Sequence, residues 1–150
     1  MGRLSNGLLA GATGVSMLHI ATYLDMAIRG RPPSTVPEQA VDKLAGQVGI
    51  SLGEGQAADA RRTALGALGG FATGISAGGV YGAVAPVLGW LPQPVRSVGL
   101  GLGVMAWTAA GNARLGVSDP RTWSATDWLE DLVPHVAYGV GTVAAFDAMG

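Results

Sequence analysis

Residues 63–88 read TALGALGGFATGISAGGVYGAVAPVL, a run without a single charged side chain. The charge-free stretch is longer still, reaching from just after Arg62 to just before Arg96. A helix needs about 20 mostly apolar residues to cross about 30 Å of hydrocarbon, and this segment exceeds that. Within it, Gly66, Gly70, Gly74, Gly78 and Gly82 recur at every fourth position. Residues four apart share one face of a helix. A glycine face lets a second backbone come close, which is how helices associate where lipid removes the hydrophobic drive between them. The segment therefore predicts a transmembrane helix with a packing stripe, seating a neighbouring helix of the same chain or a second copy.

Three further segments follow the same logic. Residues 4–28 carry no Asp, Glu, Lys or Arg until Asp25. Residues 95–113 have Arg96 near one end and Arg114 just beyond the other. Residues 129–149 are the least apolar, with Asp131, Pro134, His135 and Asp147. Matching small faces occur at Gly7/Gly11, Gly99/Gly103 and Ala137/Gly141/Ala145. The composition agrees. Of 150 residues only 13% are charged and 25 are glycine, whereas a soluble domain carries about 25% charged residues. The expected fold is all-α: one domain over residues 1–150, an integral membrane bundle of four transmembrane helices. The spans are expected at about 4–28, 63–88, 95–113 and 129–149.

The breaks between spans carry proline and glycine. Gly30-Arg31-Pro32-Pro33 stops the first helix, because proline cannot continue a helix and restricts the residue before it. Gly89-Trp90-Leu91-Pro92-Gln93-Pro94 is a tight turn, and Trp90, Trp123 and Trp128 are expected at the membrane interface. In the long connection 31–62, Thr35-Val36-Pro37-Glu38 reads as a capping box. Val41, Leu44 and Val48 then share a face. This predicts a short amphipathic helix, on the membrane surface or against the bundle, ending at Gly49 or Gly53.

Charge sets orientation and excludes some partners. Arg29, Arg31, Lys43, Arg61, Arg62, Arg114 and Arg121 fall on the side of the two long loops, against Arg3 and Arg96 on the other. The positive-inside rule puts the long loops in the cytoplasm and both termini outside a bacterial plasma membrane. The lipid bilayer is the expected partner, with a homo-oligomer or larger membrane complex beside it. Net charge is −1 and no basic run exists, which argues against nucleic acid. Without cysteine, disulfides and thiolate chemistry are excluded. The first apolar stretch is too long for a cleaved signal peptide. Asn6 stands where a myristoylation motif takes Ser or Thr.

Ionisable groups at membrane depth are the default functional candidates. The expected polar cluster is His19, Tyr23, Asp25, Asp131, His135 and Tyr138. His19 lies about 15 Å in from Arg29 and His135 about 10 Å in from Trp128, at 1.5 Å per residue. The two imidazoles meet if the first and last helices are neighbours. A histidine–carboxylate pair relays protons or holds a cation, and two imidazoles ligate haem or a transition metal. No catalytic residue or metal site is assigned, and the cofactor stays unknown. Gly74-Ile75-Ser76-Ala77-Gly78 matches a nucleophile elbow only in letters, since that motif needs a strand-to-helix turn. The glycines at 99–103 lack the Lys-Ser/Thr of a phosphate loop.

Three pieces carry a family likeness. They are Arg29-Gly30-Arg31-Pro32-Pro33-Ser34-Thr35 after the first helix, the helix start Pro37-Glu38-Gln39-Ala40-Val41, and Asp131-Leu132-Val133-Pro134-His135-Val136-Ala137-Tyr138-Gly139 entering the last helix. The pattern resembles small uncharacterised multi-pass membrane proteins of actinobacteria, loosely YagU-like. The resemblance implies an inner-membrane protein and carries over no catalytic residues. The leading expectation is a non-enzymatic structural or accessory subunit packed through glycine-rich helices. Its rivals are a small oligomeric transporter or channel using the His/Asp cluster, and a haem- or quinone-linked redox subunit.

Overall fold

Helix ends fall where glycine and proline require them in the computed structural model, which describes residues 2–150. Helix α1, Arg3–Arg29, ends at Gly30 with φ +64°, a left-handed conformation that favours glycine. Helix α2, Val36–Gln47, has Pro37 in its first turn and Gly49 at φ +70° just beyond it. Helix α3, Gly55–Leu88, starts two turns before the charge-free run. Helices α4, Gln93–Arg114, and α5, Ala125–Ala148, follow, with a single 3-10 turn at Pro120–Thr122 between them. No strand occurs among the described residues.

The caps differ from the sequence reading. The Thr35 side chain does not cap α2; its hydroxyl instead accepts from Gln39 Nε2 at 2.9 Å. The reciprocal box sits at α5. Asp127 N–H donates to Ser124 Oγ at 3.2 Å, and Ser124 N–H donates to Asp127 Oδ2 at 2.8 Å. The Ser124 hydroxyl and amide hold the Asp127 carboxyl below the usual carboxylate range. That contribution is complete above the unfolded pKa of about 4 and fades as pH falls through the lower folded value. Ser124→Ala is therefore expected to speed hydrogen exchange in the first turn of α5 at pH 7. The gap to wild type should begin to narrow below pH about 4 and close once pH falls below the lower folded value, where Asp127 is protonated in both states. Equal exchange at pH 7 would show that the cap contributes nothing.

Four long helices run alternately up and down. Gly7 and Gly11 of α1 lie against Gly82, Gly78 and Gly74 of α3, so these two are antiparallel. Asn6 of α1 reaches the Met149 carbonyl of α5, while Arg29 reaches Glu130. Ser97 and Gly101 of α4 pack on Gly139 and His135 of α5. The resulting order across the bundle is α3, α1, α5, α4. Both long connections emerge at one end, with Arg29, Arg62 and Arg114, and the α3–α4 turn and the C-terminus at the other.

The interior is built from small residues. A Cβ on Gly78 would lie 2.5 Å from the Gly7 carbonyl oxygen and 2.6 Å from the Gly11 nitrogen. One on Gly7 would lie 2.5 Å from the Gly78 oxygen. Gly82 faces Gly7, and Gly74 faces Val15 and Tyr138. The stripe does not continue unchanged: Gly70 faces nothing within 4 Å, and Gly66 touches Pro37 of α2. On α4 the close approach uses Gly101 and Ser97, while Gly99 and Gly103 face open space.

Large apolar side chains lie outside. Ile20 and Ile28 on α1, Leu68 and Val80 on α3, Trp107 on α4 and Val133 on α5 are all more than half exposed. At 1.5 Å rise per residue α1 and α3 extend about 40 and 51 Å, and α4 and α5 about 33 and 36 Å. By length and apolar composition α1 and α3 qualify as membrane-crossing helices. Four were expected. Helix α4 is shorter than α1 and α3 and carries Arg96, Asn112 and Arg114, and α5 carries Glu130, Asp131, His135 and Asp147, so neither reaches the same apolar density. Helix α2 leans on the start of α3, where Arg62 Nε pairs with Asp42 at 2.7 Å. It leaves Leu44 and Val48 exposed.

Candidate functional site

The six candidate polar residues divide among separate places. The loop end of the α1–α5 seam holds Asp25. Asp25 and Arg29 lie one turn apart on α1 and face each other. Arg29 Nε donates to Asp25 Oδ1 at 2.6 Å and Nη2 to Oδ2 at 2.7 Å. The left-handed Gly30 turns the chain back, so Arg31 Nε donates to the same carboxylate at 2.5 Å. Arg29 Nη2 also donates to Glu130 Oε1 of α5 at 2.6 Å, and Arg31 Nε lies 3.7 Å from Glu130 Oε2. Two guanidinium groups and two carboxylates thus form a neutral tetrad that ties the end of α1 to the start of α5.

Asp131 is not part of it. One residue along a helix turns about 100°, so Glu130 faces α1 while Asp131 faces His135 on its own helix. His135 Nδ1 lies 2.7 Å from the Asp131 carbonyl oxygen and 3.4 Å from its carboxylate. The His135 backbone lies against Gly101 of α4, and among the described residues its ring has only Asp131 as a polar partner. His19 is turned toward α3, its ring 5.3 Å from Phe71 and 5.7 Å from Tyr23. Among the described residues no hydrogen bond, ion pair or ring contact joins the two histidines, and no group of three His, Asp or Glu side chains is placed to hold a metal. A bis-histidine site and a His19–Asp25 pair are thus not assembled in this arrangement.

Tyr138 sits at the centre of the bundle. It is 1% exposed and its hydroxyl donates to the Gly74 carbonyl of α3 at 2.7 Å. Its neighbour Thr142 lies against Gly14 of α1. Tyr138 therefore joins three helices, touching Gly74 of α3 and Gly14 of α1 from its place on α5.

A second charged cluster closes the opposite end. Arg96 of α4 donates to both Asp147 oxygens of α5 at 2.9 Å and to the Tyr81 hydroxyl of α3 at 2.8 Å. Tyr81 packs edge-on against Phe146 at 5.4 Å. From sequence, Arg96 counts only as a flanking and orientation charge, and Asp147 only against the apolar character of the last span. The available signal was their opposite sign at helix ends that an alternating bundle brings together.

A cleft of about 260 Å³ opens beside the tetrad, lined by Ala21, Asp25 and Arg29 of α1 and Leu129, Glu130, Val133 and Pro134 of α5. Comparison with family models, with curated proteins and with solved structures returns no match.

Proposed function

We propose that this chain is a four-span plasma-membrane bundle acting as a non-enzymatic structural or accessory subunit, with its long loops in the cytoplasm. One observation carries the membrane reading: small residues fill the interior while large apolar side chains cover the outside. Water-soluble monomers rarely expose apolar patches beyond a few hundred Å², and small residues at helix contacts are how bundles pack in lipid. The two charged clusters lie at opposite ends of the helices, as expected where a bilayer separates them. Exposed Trp90 at one end and paired Trp123 and Trp128 at the other suit the interfacial belts. The accessory role draws support from α4. Gly99 and Gly103 face outward with nothing against them, next to exposed Trp107, a surface that admits a further helix.

The natural absence of cysteine makes the topology directly measurable. Single cysteines at Ser51 and Ser118 are expected to react with a membrane-impermeant maleimide only after the cytoplasmic face is opened. Cysteines at Gln93 and Gly150 are expected to react in intact cells. All four labelling alike from one side, or release of the protein by carbonate washing, would remove the four-span reading. A native mass spectrum of gently extracted protein then tests the accessory role, which expects a second polypeptide in the complex.

A further inference from the structure

The cleft beside the tetrad is charged at one end and apolar at the other. It follows α1 from Arg29 to Ala21, about 12 Å at 1.5 Å per residue. Its outer part is charged, with Asp25, Arg29 and Glu130, and its inner part is apolar, with Ala21, Val133 and Pro134. Together with Arg31 the charged rim is neutral overall, yet its hydrogen bonding is incomplete. Among the described residues Arg29 uses Nε and Nη2 and leaves Nη1 without an acceptor. Glu130 uses Oε1, while its Oε2 has only the 3.7 Å approach of Arg31.

The backbone adds a further acceptor. Pro134 lies inside α5 and has no amide hydrogen, so the Glu130 carbonyl lacks its usual helical donor. An unpaired carbonyl at the edge of hydrocarbon is costly. Glu130 and Pro134 both line the cleft. The same rim thus offers one open cationic donor on Arg29 of α1 and two acceptors on Glu130 of α5. An anionic headgroup would satisfy the donor and face the carboxylates. A headgroup with both a phosphate and a hydrogen-bonding ammonium satisfies all three.

We propose that the α1–α5 cleft binds an aminophospholipid of the phosphatidylethanolamine class. Arg29 meets the phosphate, Glu130 takes the ammonium through its carboxylate and carbonyl, and an acyl chain lies along Ala21, Val133 and Pro134. The proposal rests on the membrane reading above. It names a resident lipid for the seam that the tetrad closes, and gives Pro134 a role beyond bending a helix.

The test is native mass spectrometry of the full-length protein in detergent. Phosphatidylethanolamine, phosphatidylcholine and phosphatidylglycerol with identical acyl chains are added at equal concentration. Phosphatidylethanolamine adducts are expected to dominate by about tenfold, the worth of one charge-assisted hydrogen bond. Phosphatidylcholine keeps the positive charge but has no N–H to donate. Glu130→Gln should erase the preference, and Ala21→Trp or Val133→Trp should erase the adduct while the melting temperature holds. If both tryptophan variants misfold, the Glu130→Gln result decides. Equal adducts for the three lipids, a phosphatidylglycerol preference, or a preference untouched by Glu130→Gln would overturn the proposal. Flotation with native membranes separates the two levels. A protein that floats but shows no preference overturns the lipid site alone, and one that stays soluble overturns both.

Discussion

Gly78→Leu is expected to disrupt the bundle more than any other single change on the α3 glycine stripe. A Cβ on Gly78 would meet α1 backbone at two points one turn apart, the Gly7 carbonyl and the Gly11 nitrogen. A flexible side chain can move aside, but helical backbone moves only if the whole helix does. Overpacking a tight core costs about 1–3 kcal/mol, and a branched side chain against two backbone segments falls at the top of that range. Gly70→Leu is the matched control, because that glycine sits about two turns away on the same helix and faces nothing within 4 Å. Gly99→Leu is the control on α4. Thermal unfolding in one detergent compares all three. Gly78→Leu should melt far earlier than wild type or fail to assemble, while Gly70→Leu and Gly99→Leu stay near wild type. Equal melting of the Gly78 and Gly70 variants would mean that α1 and α3 do not approach closely at this level.

The helix bodies and several of their ends were legible because each rests on a local signal, while α3 and α5 begin eight and four residues before the spans expected at 63 and 129. Proline and glycine mark the ends, and charge depletion marks the bodies. The packing stripe at Gly74, Gly78 and Gly82 was legible for the same reason, a period of four on one face. What the sequence hid is rotation. Gly99 and Gly103 look like a contact face, yet the α4 contact uses Ser97 and Gly101, two residues away. Two residues turn a helix by about 200°, so the wrong choice of glycine pair points to the opposite side. With 25 glycines in the chain, spacing alone does not choose between them.

The polar cluster failed in the same coordinate. Depth along the axis follows from residue counting, so His19 and His135 were placed at similar levels. Azimuth does not. His19 and Asp25 are six residues apart, about 240° around the helix, and so one faces Phe71 of α3 while the other faces Glu130 of α5. Glu130 rather than Asp131 meets α1 through a single 100° step. Arg31 is absent from the expected cluster because it lies outside any helix, and only the left-handed Gly30 returns it to Asp25. The Thr35–Glu38 box had the right letters, but Gln39 takes the Thr35 hydroxyl.

Tyr138 gives the second large effect, and a graded one. Its ring is buried against Gly74 and Gly14, and its hydroxyl reaches the Gly74 carbonyl. Tyr138→Ala removes the largest fully buried side chain of the bundle, and deletions of buried aromatic rings cost about 3–5 kcal/mol. Tyr138→Phe keeps the ring and loses one hydrogen bond, worth about 1 kcal/mol. The smaller value is expected because the Gly74 carbonyl keeps its helical partner, the Gly78 amide, and is not left bare. If Tyr138 is a core lock, unfolding should follow the order wild type, Phe, Ala, and any activity of a complex should follow stability alone. If Tyr138 instead belongs to a proton or ion path through the His/Asp residues, Tyr138→Phe should remove flux while leaving the melting temperature within a degree or two of wild type. The two readings part at the conservative variant, because a lost hydroxyl matters little to packing and a great deal to a proton relay.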